Sequence, residues 1–528
     1  MDKTRTILLA AASVIVLGAV QARADEYTDL LDILKAKGSL TQGEYRALMA
    51  KHMRNMRHRG MPMEPGTPVV DDSARMAAQA AASAAAAQAA AAQMHDEMTK
   101  TEAMIASPDI IHAMPYKPGA GITMKVGDVD LNISGIVNAF YTYSDGGTAG
   151  PTHVVAGGLT EASGFDSSSV RNGLLPGALI ISAATQQDGI DLTAVFGMYP
   201  GIDSSAVGAL NANNGGNATA LGTAGVDFRK TYITAGTPTF GTIKLGRDIG
   251  LFGQDAILND QTLLGVGATG GNADPGNTSL GRIGYGYIYT DFMPQITYIT
   301  PIFAGFQASV GIFQPLNEVN LFTGSVSDES LQHSAPMFQG RLTYDYKGDA
   351  LIAHLWAGFV EQQLDDVAVP NAITGTTSTT SKTALGGEAG ATIGVGPVGV
   401  TGYYYRASGV GTTALMFDGL AATGQTRDSE GGYIQAYVKP TDKLKIVGSY
   451  GVSSLYLASG EGAYWESIGQ PTALADVVRR NESETAGLYY ALTPWLTTLG
   501  EYTHAESKAH GSNSTSANSV SLGAIVFY

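Results

Sequence analysis

The chain has 528 residues, with 31 Lys and Arg against 47 Asp and Glu for a formal net charge of −16, and it holds 67 glycines, 25 tyrosines and no cysteine. These counts exclude a disulfide scaffold, a cysteine-ligated zinc or iron–sulfur centre and a thiol nucleophile, and the acidic balance argues against nucleic acid as a partner. Abundant Gly, Tyr, Thr, Ser and Asn favour strands and turns over helices.

Residues 1–24 are expected to be a signal peptide: Lys3 and Arg5 precede an apolar run from Ile7 to Val20, and Ala22-Arg23-Ala24 supplies the small-x-small cleavage pattern. As a helix that run would reach only about 21 Å, short of a hydrocarbon core of about 30 Å. No later stretch is apolar for long enough to span as a helix, so any membrane crossing must use strands. Residues 25–60 read as a short helical hairpin. Leu30, Leu31, Ile33 and Leu34 form one apolar face, Gly38 ends the first helix, and Thr41 with Glu44 makes a capping box for the second. That second helix becomes basic toward its C-terminal end, through Arg46, Lys51, Arg54, Arg57 and Arg59. Residues 61–73, with Pro62, Pro65 and Pro68, read as linker.

Residues 74–107 read as one Ala-rich helix. Ala77, Ala84, Ala91, Met98 and Ile105 share one heptad position, and Ala80, Ala87, Met94 and Thr101 share the other. Small residues there let helices approach closely, which favours a parallel, trimeric coiled coil over a lone helix or a spacer. The span from Ala77 to Ile105 would be about 43 Å. Residues 108–120, with Pro108, Pro115 and Pro118, form the next linker.

From residue 121 to 528 the hydrophobic period changes to two. Val129, Leu131, Ile133, Val137, Ala139, Tyr141 and Tyr143 point one way, and Asp128, Asp130, Asn132, Ser134, Asn138 and Thr142 the other, with Ile136 and Phe140 as exceptions. The pattern returns at Leu444, Ile446, Tyr450 and Val452, and in the last strand at Val520, Leu522, Ala524, Val526 and Tyr528. Strands this long exceed those of ordinary soluble sheets. Tight turns fall at Gln187-Asp188-Gly189, Thr237-Pro238-Thr239, Thr300-Pro301, Lys347-Gly348-Asp349, Gly396-Pro397, Lys439-Pro440-Thr441 and Thr493-Pro494. Long polar stretches alternate with them near 144–172, 200–225, 249–281, 315–334, 363–381, 408–426, 458–478 and 509–514. Seven short and eight long connections imply sixteen antiparallel strands with short turns on one side of a membrane and long loops on the other. The fold class expected is an all-β transmembrane barrel. Closure removes every unpaired edge, and sixteen strands leave an aqueous lumen. A soluble all-β array is the alternative.

The segment Arg229-Lys-Thr-Tyr-Ile-Thr-Ala-Gly-Thr-Pro-Thr-Phe240-Gly241-Thr-Ile-Lys-Leu-Gly246-Arg247-Asp248 resembles the strand–turn–strand signature of the trimeric Gram-negative general porins. Arg282 through Tyr298-Ile-Thr-Pro301-Ile-Phe-Ala-Gly305-Phe306 is similar to the family's next hairpin. The terminal Ser521 to Tyr528 resembles its C-terminal assembly signal, which more often ends in Phe. The long helical preface departs from the general porins and is closer to the periplasmic extensions of envelope-tethering porins.

The resemblance implies a homotrimer in the outer membrane whose third long loop folds into the barrel and narrows it. Here that loop is 249–281, with Asp255, Asp260 and Asp274 and no Lys or Arg. Its carboxylates would face basic side chains on the wall, for which Arg171, Arg229, Lys244, Arg247 and Arg282 are the candidates, and the resulting transverse field would order dipolar solutes. Strict alternation puts Lys244 and Asp248 inward and Arg247 outward. Residues 1–118 carry 13 acidic and 13 basic groups, which leaves 34 against 18 in the barrel segment. An acidic lumen would prefer cations weakly; alternatively the acids sit on outer loops and bind divalent cations with lipopolysaccharide. The histidines show no His-Glu-x-x-His, and Gly-Arg-Ile-Gly-Tyr-Gly at 281–286 lacks the Lys-Ser/Thr of a phosphate loop, so no enzyme, metal site or cofactor is expected. A preface of this kind cannot supply the plug of a TonB-dependent transporter, and about 400 barrel residues are too many for a trimeric autotransporter. Two functions stay open: a passive channel for ions and small hydrophilic solutes, and an envelope tether reaching peptidoglycan, with the pore secondary.

Overall fold

The computed structural model describes residues 31, 35, 42–57, 72–105, 112–114, 119–202, 226–321, 325–326, 334–371 and 374–528, in two compact units that divide after Ile110. The expected signal peptide and most of the linker 61–73 lie outside the described residues. In the first unit, α1 (Gln42–Arg57) follows the helical residues Leu31 and Lys35. Leu31 is buried, and the Lys35 ammonium lies 4.5 Å from the centre of the Tyr45 ring. The helix α2 (Asp72–Ile105) runs 34 residues, with Lys100 paired to Asp96 one turn back at 2.7 Å. Its described side chains from Ala82 to Glu102 are all exposed, Met94 and Met98 included.

The second unit is a closed antiparallel barrel of sixteen strands. Its first half comprises β1 (Val129–Ser144), β2 (Ala178–Gln187, continued along β1 by Ser167–Arg171), β3 (Ile190–Pro200), β4 (Val226–Thr237), β5 (Gly241–Ile249), β6 (Phe292–Ile299), β7 (Phe306–Phe313) and β8 (Met337–Lys347). The second half comprises β9 (Leu351–Pro370), β10 (Thr377–Val395), β11 (Val398–Ser408), β12 (Asp428–Val438), β13 (Leu444–Leu455), β14 (Val478–Ala491), β15 (Leu496–Ala509) and β16 (Ser514–Phe527). Each strand pairs with its sequence neighbour, and β16 returns to β1 with Ser519 opposite Ser144 and Phe527 opposite Ile136. The last residue completes the seam: Gly135 donates its amide to the Tyr528 carbonyl at 2.9 Å, and Tyr528 donates back at 3.1 Å. A short strand, Ile122–Val126, continues the same edge of β1 where β16 stops.

Alternation decides which face meets what. On β1, Val137, Tyr141 and Tyr143 are exposed, whereas Asn138, Thr142 and Ser144 are buried. On β12, Ile434 is exposed and Gln435 buried; on β16, Val520 and Leu522 are exposed and Ser519 and Ser521 buried. A soluble protein hides its apolar face, and this one displays it and turns Ser, Thr, Asn and Gln inward. That inversion fits hydrocarbon outside and water or polar chain inside. No helix among the described residues is long and apolar enough to cross a membrane.

The structure departs from the sequence expectation most in two connections, beside the pairing of Ser167–Arg171 within the first expected loop. The polar stretch 363–381 was expected to be a loop, but β9 and β10 extend through most of it and leave only 371–376 between them. Backbone pairing there overrides the polar composition, with one register shift between Leu364 and Val367. The third long loop runs from 250 to 291 rather than ending at 281, because β6 begins only at Phe292. Positive φ at Gly281, Gly284, Gly286 and Asp291 prevents 282–291 from extending as a strand.

The candidate pore constriction

The third loop lies inside the barrel and is fastened to the wall by buried polar side chains, strand after strand. It opens at β8, where Gln339 Oε1 accepts the amides of Leu251 and Phe252 at 2.7 and 3.0 Å. At β10, Glu388 accepts the Gly253 amide at 2.9 Å. A short helix, α3 (Gln254–Leu258), follows. At β12, Gln435 donates to Asp260 at 2.6 Å and accepts the Gln261 amide at 2.7 Å, and Tyr433 donates to the Ala256 carbonyl. At β13, Lys445 donates to the Gln261 carbonyl at 3.0 Å; at β15, Glu501 accepts the Val266 amide at 2.8 Å. The outgoing limb therefore follows the inside of the wall from β8 to β15. Apolar contacts close the same seams: Phe252, Ala256, Ile257, Tyr287 and Ile288 pack with Met337, Trp356, Val360, Tyr403 and Tyr433, and Val266 packs with Phe140, Val447 and Tyr489. Phe140, an exception to alternation in the sequence, faces inward because it meets the loop.

Of the three candidate loop acids, two point into the wall and one toward solvent. Asp255 is buried, receives hydrogen bonds from Arg341 (Nη2, 2.7 Å; Nε also) and lies 3.2 Å from His354 Nε2. Burial pushes the Asp255 carboxyl up, but the bonds from Arg341 and His354 outweigh it and hold the group below the ordinary carboxylate value. Asp260 is buried, with Gln435, the Thr262 amide and hydroxyl, and Tyr287 as donors. Asp274 is exposed, on a cavity of about 420 Å³ between the first and third loops that Glu161 and Arg171 also line.

The basic candidates occupy different places. Arg171 is buried and donates to the Gly271 carbonyl, Asn272 Oδ1 and the Thr278 carbonyl at 2.7–2.9 Å, so it anchors the loop's returning limb. Arg229 is buried beside Asp227 at 2.8 Å, with its guanidinium over the rings of Tyr199 and Phe292. Lys244 pairs with Asp248, and Lys230 reaches the same carboxylate at 3.8 Å. Arg247 is half-buried on the side of β5 that carries exposed Leu245. Arg282 is not on the wall: it belongs to the loop and donates to Thr485 and to the Ser483 carbonyl on β14. Burial pushes the Arg282 guanidinium down from its ordinary value. None of these five faces Asp255. The side chains that do, Arg341 and His354, lie 86 and 99 positions further along the chain, beyond the reach of local sequence spacing. The inward parity of Arg341 on β8, shared with buried Gln339 and Thr343, was a signal that could have found it. Tyr528, the candidate assembly residue, lies with its ring against Gly135 and 6.1 Å from that of Trp495.

A closed sixteen-stranded barrel, apolar outside and polar inside, with a loop folded into its lumen, defines an outer-membrane channel. The chain belongs to the Gram-negative porin family, whose model matches residues 77–511. Among solved structures, the outer membrane channel DcaP of Acinetobacter baumannii is similar at 14% identity and a TM-score of 0.53, over 78% of this chain and 100% of that one. An anion-selective porin from Comamonas acidovorans gives 14% identity and a TM-score of 0.48, over 76% of this chain and 100% of its own. Among curated proteins, none matches this chain in sequence. Family and fold favour a channel over an enzyme. Among the described residues no group of His, Asp and Glu is placed to hold a metal ion.

Proposed function

We propose that the protein is a passive diffusion channel for ions and small hydrophilic solutes, working as a homotrimer in lipopolysaccharide-containing outer membrane with its N-terminal helices in the periplasm. The observation that carries this is the inverted polarity of the strands together with the third loop folded into the barrel. The weak cation preference expected from net charge rests on acids reaching the lumen. Three inward carboxylates are paired, Asp248 with Lys244 and Lys230, Asp255 with Arg341 and Asp227 with Arg229, whereas Asp260, Glu388 and Glu501 are buried against amides, hydroxyls and phenols. Glu430, Glu482 and Glu506 share the outward parity of exposed Ile434, Leu488 and Tyr502. Cation preference is thus supported by the sum of charges and not by their placement. In planar bilayers the purified trimer is expected to insert in threefold conductance steps, and the reversal potential across a salt gradient reports the preference. Absence of conductance overturns the proposal.

A tether role is the second reading, supported by the length of α2 and the exposure of Met94 and Met98 at two heptad positions. Parallel association of three such helices would cover both methionines. Co-sedimentation of the full chain with purified peptidoglycan tests this role.

A further inference from the structure

Two of the wall anchors share a design that the others lack. Glu388 on β10 and Glu501 on β15 are buried carboxylates that each take one phenol and loop amides. Tyr403 donates to Glu388 Oε2 at 2.7 Å, and both oxygens of that carboxylate lie 2.9 Å from the Gly253 nitrogen. Tyr489 donates to Glu501 Oε1, while Oε2 accepts the amides of Val266 at 2.8 Å and Gly267 at 3.3 Å. The loop backbone comes so close to Glu501 that a Cβ at Gly265 would fall 1.9 Å from its carboxylate. These two points bracket α3 and the turn after it, the part of the loop that runs past β11 to β14.

Resting on the channel reading, we propose that the Glu388–Tyr403 and Glu501–Tyr489 pairs are positioning residues that hold the constriction at its two ends and so set the size of the narrowest opening. A carboxyl group has two oxygens and can take a phenol and backbone amides at once, and a hydrogen bond in the low-dielectric interior is electrostatically stronger than one in water. Each pair fixes backbone rather than a side chain, so the loop's path depends on it whatever side chains the loop carries. The phenol aims the carboxylate by holding its other oxygen. Gln339 and Gln435 supply neutral bonds nearby, which keep the loop in the lumen when one clamp is lost but allow that end to shift outward.

The test is single-channel recording of the full-length trimer. Glu388→Ala and Glu501→Ala are expected to raise unitary conductance roughly 1.5-fold or more, since passage follows the narrowest diameter of a pore. Glu388→Gln and Glu501→Gln, which keep an acceptor oxygen, are expected to restore most of the parent value. A merely structural role would lower yield and heat resistance and leave the unitary step unchanged. Because the chain has no cysteine, Ala256→Cys on the buried face of α3 gives a second readout: a thiol reagent should label it faster in the Glu→Ala backgrounds. If an alanine variant fails to assemble, Tyr403→Phe and Tyr489→Phe carry the test, with added open-channel noise expected. Parent-like conductance, noise and labelling in every assembled variant overturns the proposal. A parent trimer that conducts nothing overturns the channel reading instead.

Discussion

At the scale of single residues, Asp255 shows what sequence distance hides. Its nearest basic neighbours in the chain do not reach it: Lys230 and Lys244 meet Asp248, Arg229 meets Asp227, Arg282 meets β14 and Arg247 lies on the outward side of β5, and the barrel instead brings Arg341 and His354 to it across β8 and β9. The acid was legible because it sits on the polar third loop, whereas its partners required the sheet register. A carboxylate held below its ordinary value contributes stability above the unfolded value, here 3.8, and loses it as pH falls through the depressed one. The Asp255 contribution should therefore be whole above about pH 5 and decline below pH 4. Asp255→Asn should flatten that limb of a melting-temperature profile. Arg341→Ala, which leaves the buried acid with one partner fewer, should cost about 1.5–3 kcal/mol at neutral pH. An acid limb that is equally steep in Asp255→Asn assigns the effect to other carboxylates.

At the scale of elements, the strands were readable and the inward loop was only half so. Alternation identifies a barrel strand because its two faces meet different solvents, and short turns with Pro or Gly mark its ends. The same alternation misplaces 282–291, where tyrosines and isoleucines at strand-like spacing pack in the lumen against Tyr403 and Tyr433 instead of pairing along β6. The closing seam makes a sharper prediction. Tyr528 covers Gly135 so closely that a Cβ there would lie 2.4 Å from its ring and 2.6 Å from the Ala178 carbonyl. Gly135→Val would force both strands apart at the point where β16 meets β1, an overpacking penalty of about 1–3 kcal/mol before any lost backbone bond is counted. The fraction of barrel that resists unfolding in cold detergent and shifts on boiling should fall in Gly135→Val. Tyr528→Phe, which keeps the ring, should match the parent. A Gly135→Val barrel of normal yield and heat shift removes the seam from the determinants of closure.

At the scale of the whole molecule, the barrel's hydrogen bonding is complete within 112–528, since every strand from β1 to β16 has two neighbours and the last closes on the first. That circuit is made by strands of the second unit, and the helical unit up to Ile110 forms its own compact body. The pore should therefore survive without the helices, whereas the proposed coiled coil should not. Deleting 25–110 from the full chain is expected to leave the unitary conductance of each pore unchanged. If α2 trimerises, the temperature at which trimers fall to monomers should drop, because association through three helices raises the effective concentration of the barrels for one another. Equal conductance with equal trimer stability removes α2, a helix of about 50 Å, from assembly. An altered unitary conductance would contradict the expectation that the sixteen strands and the third loop by themselves set the path.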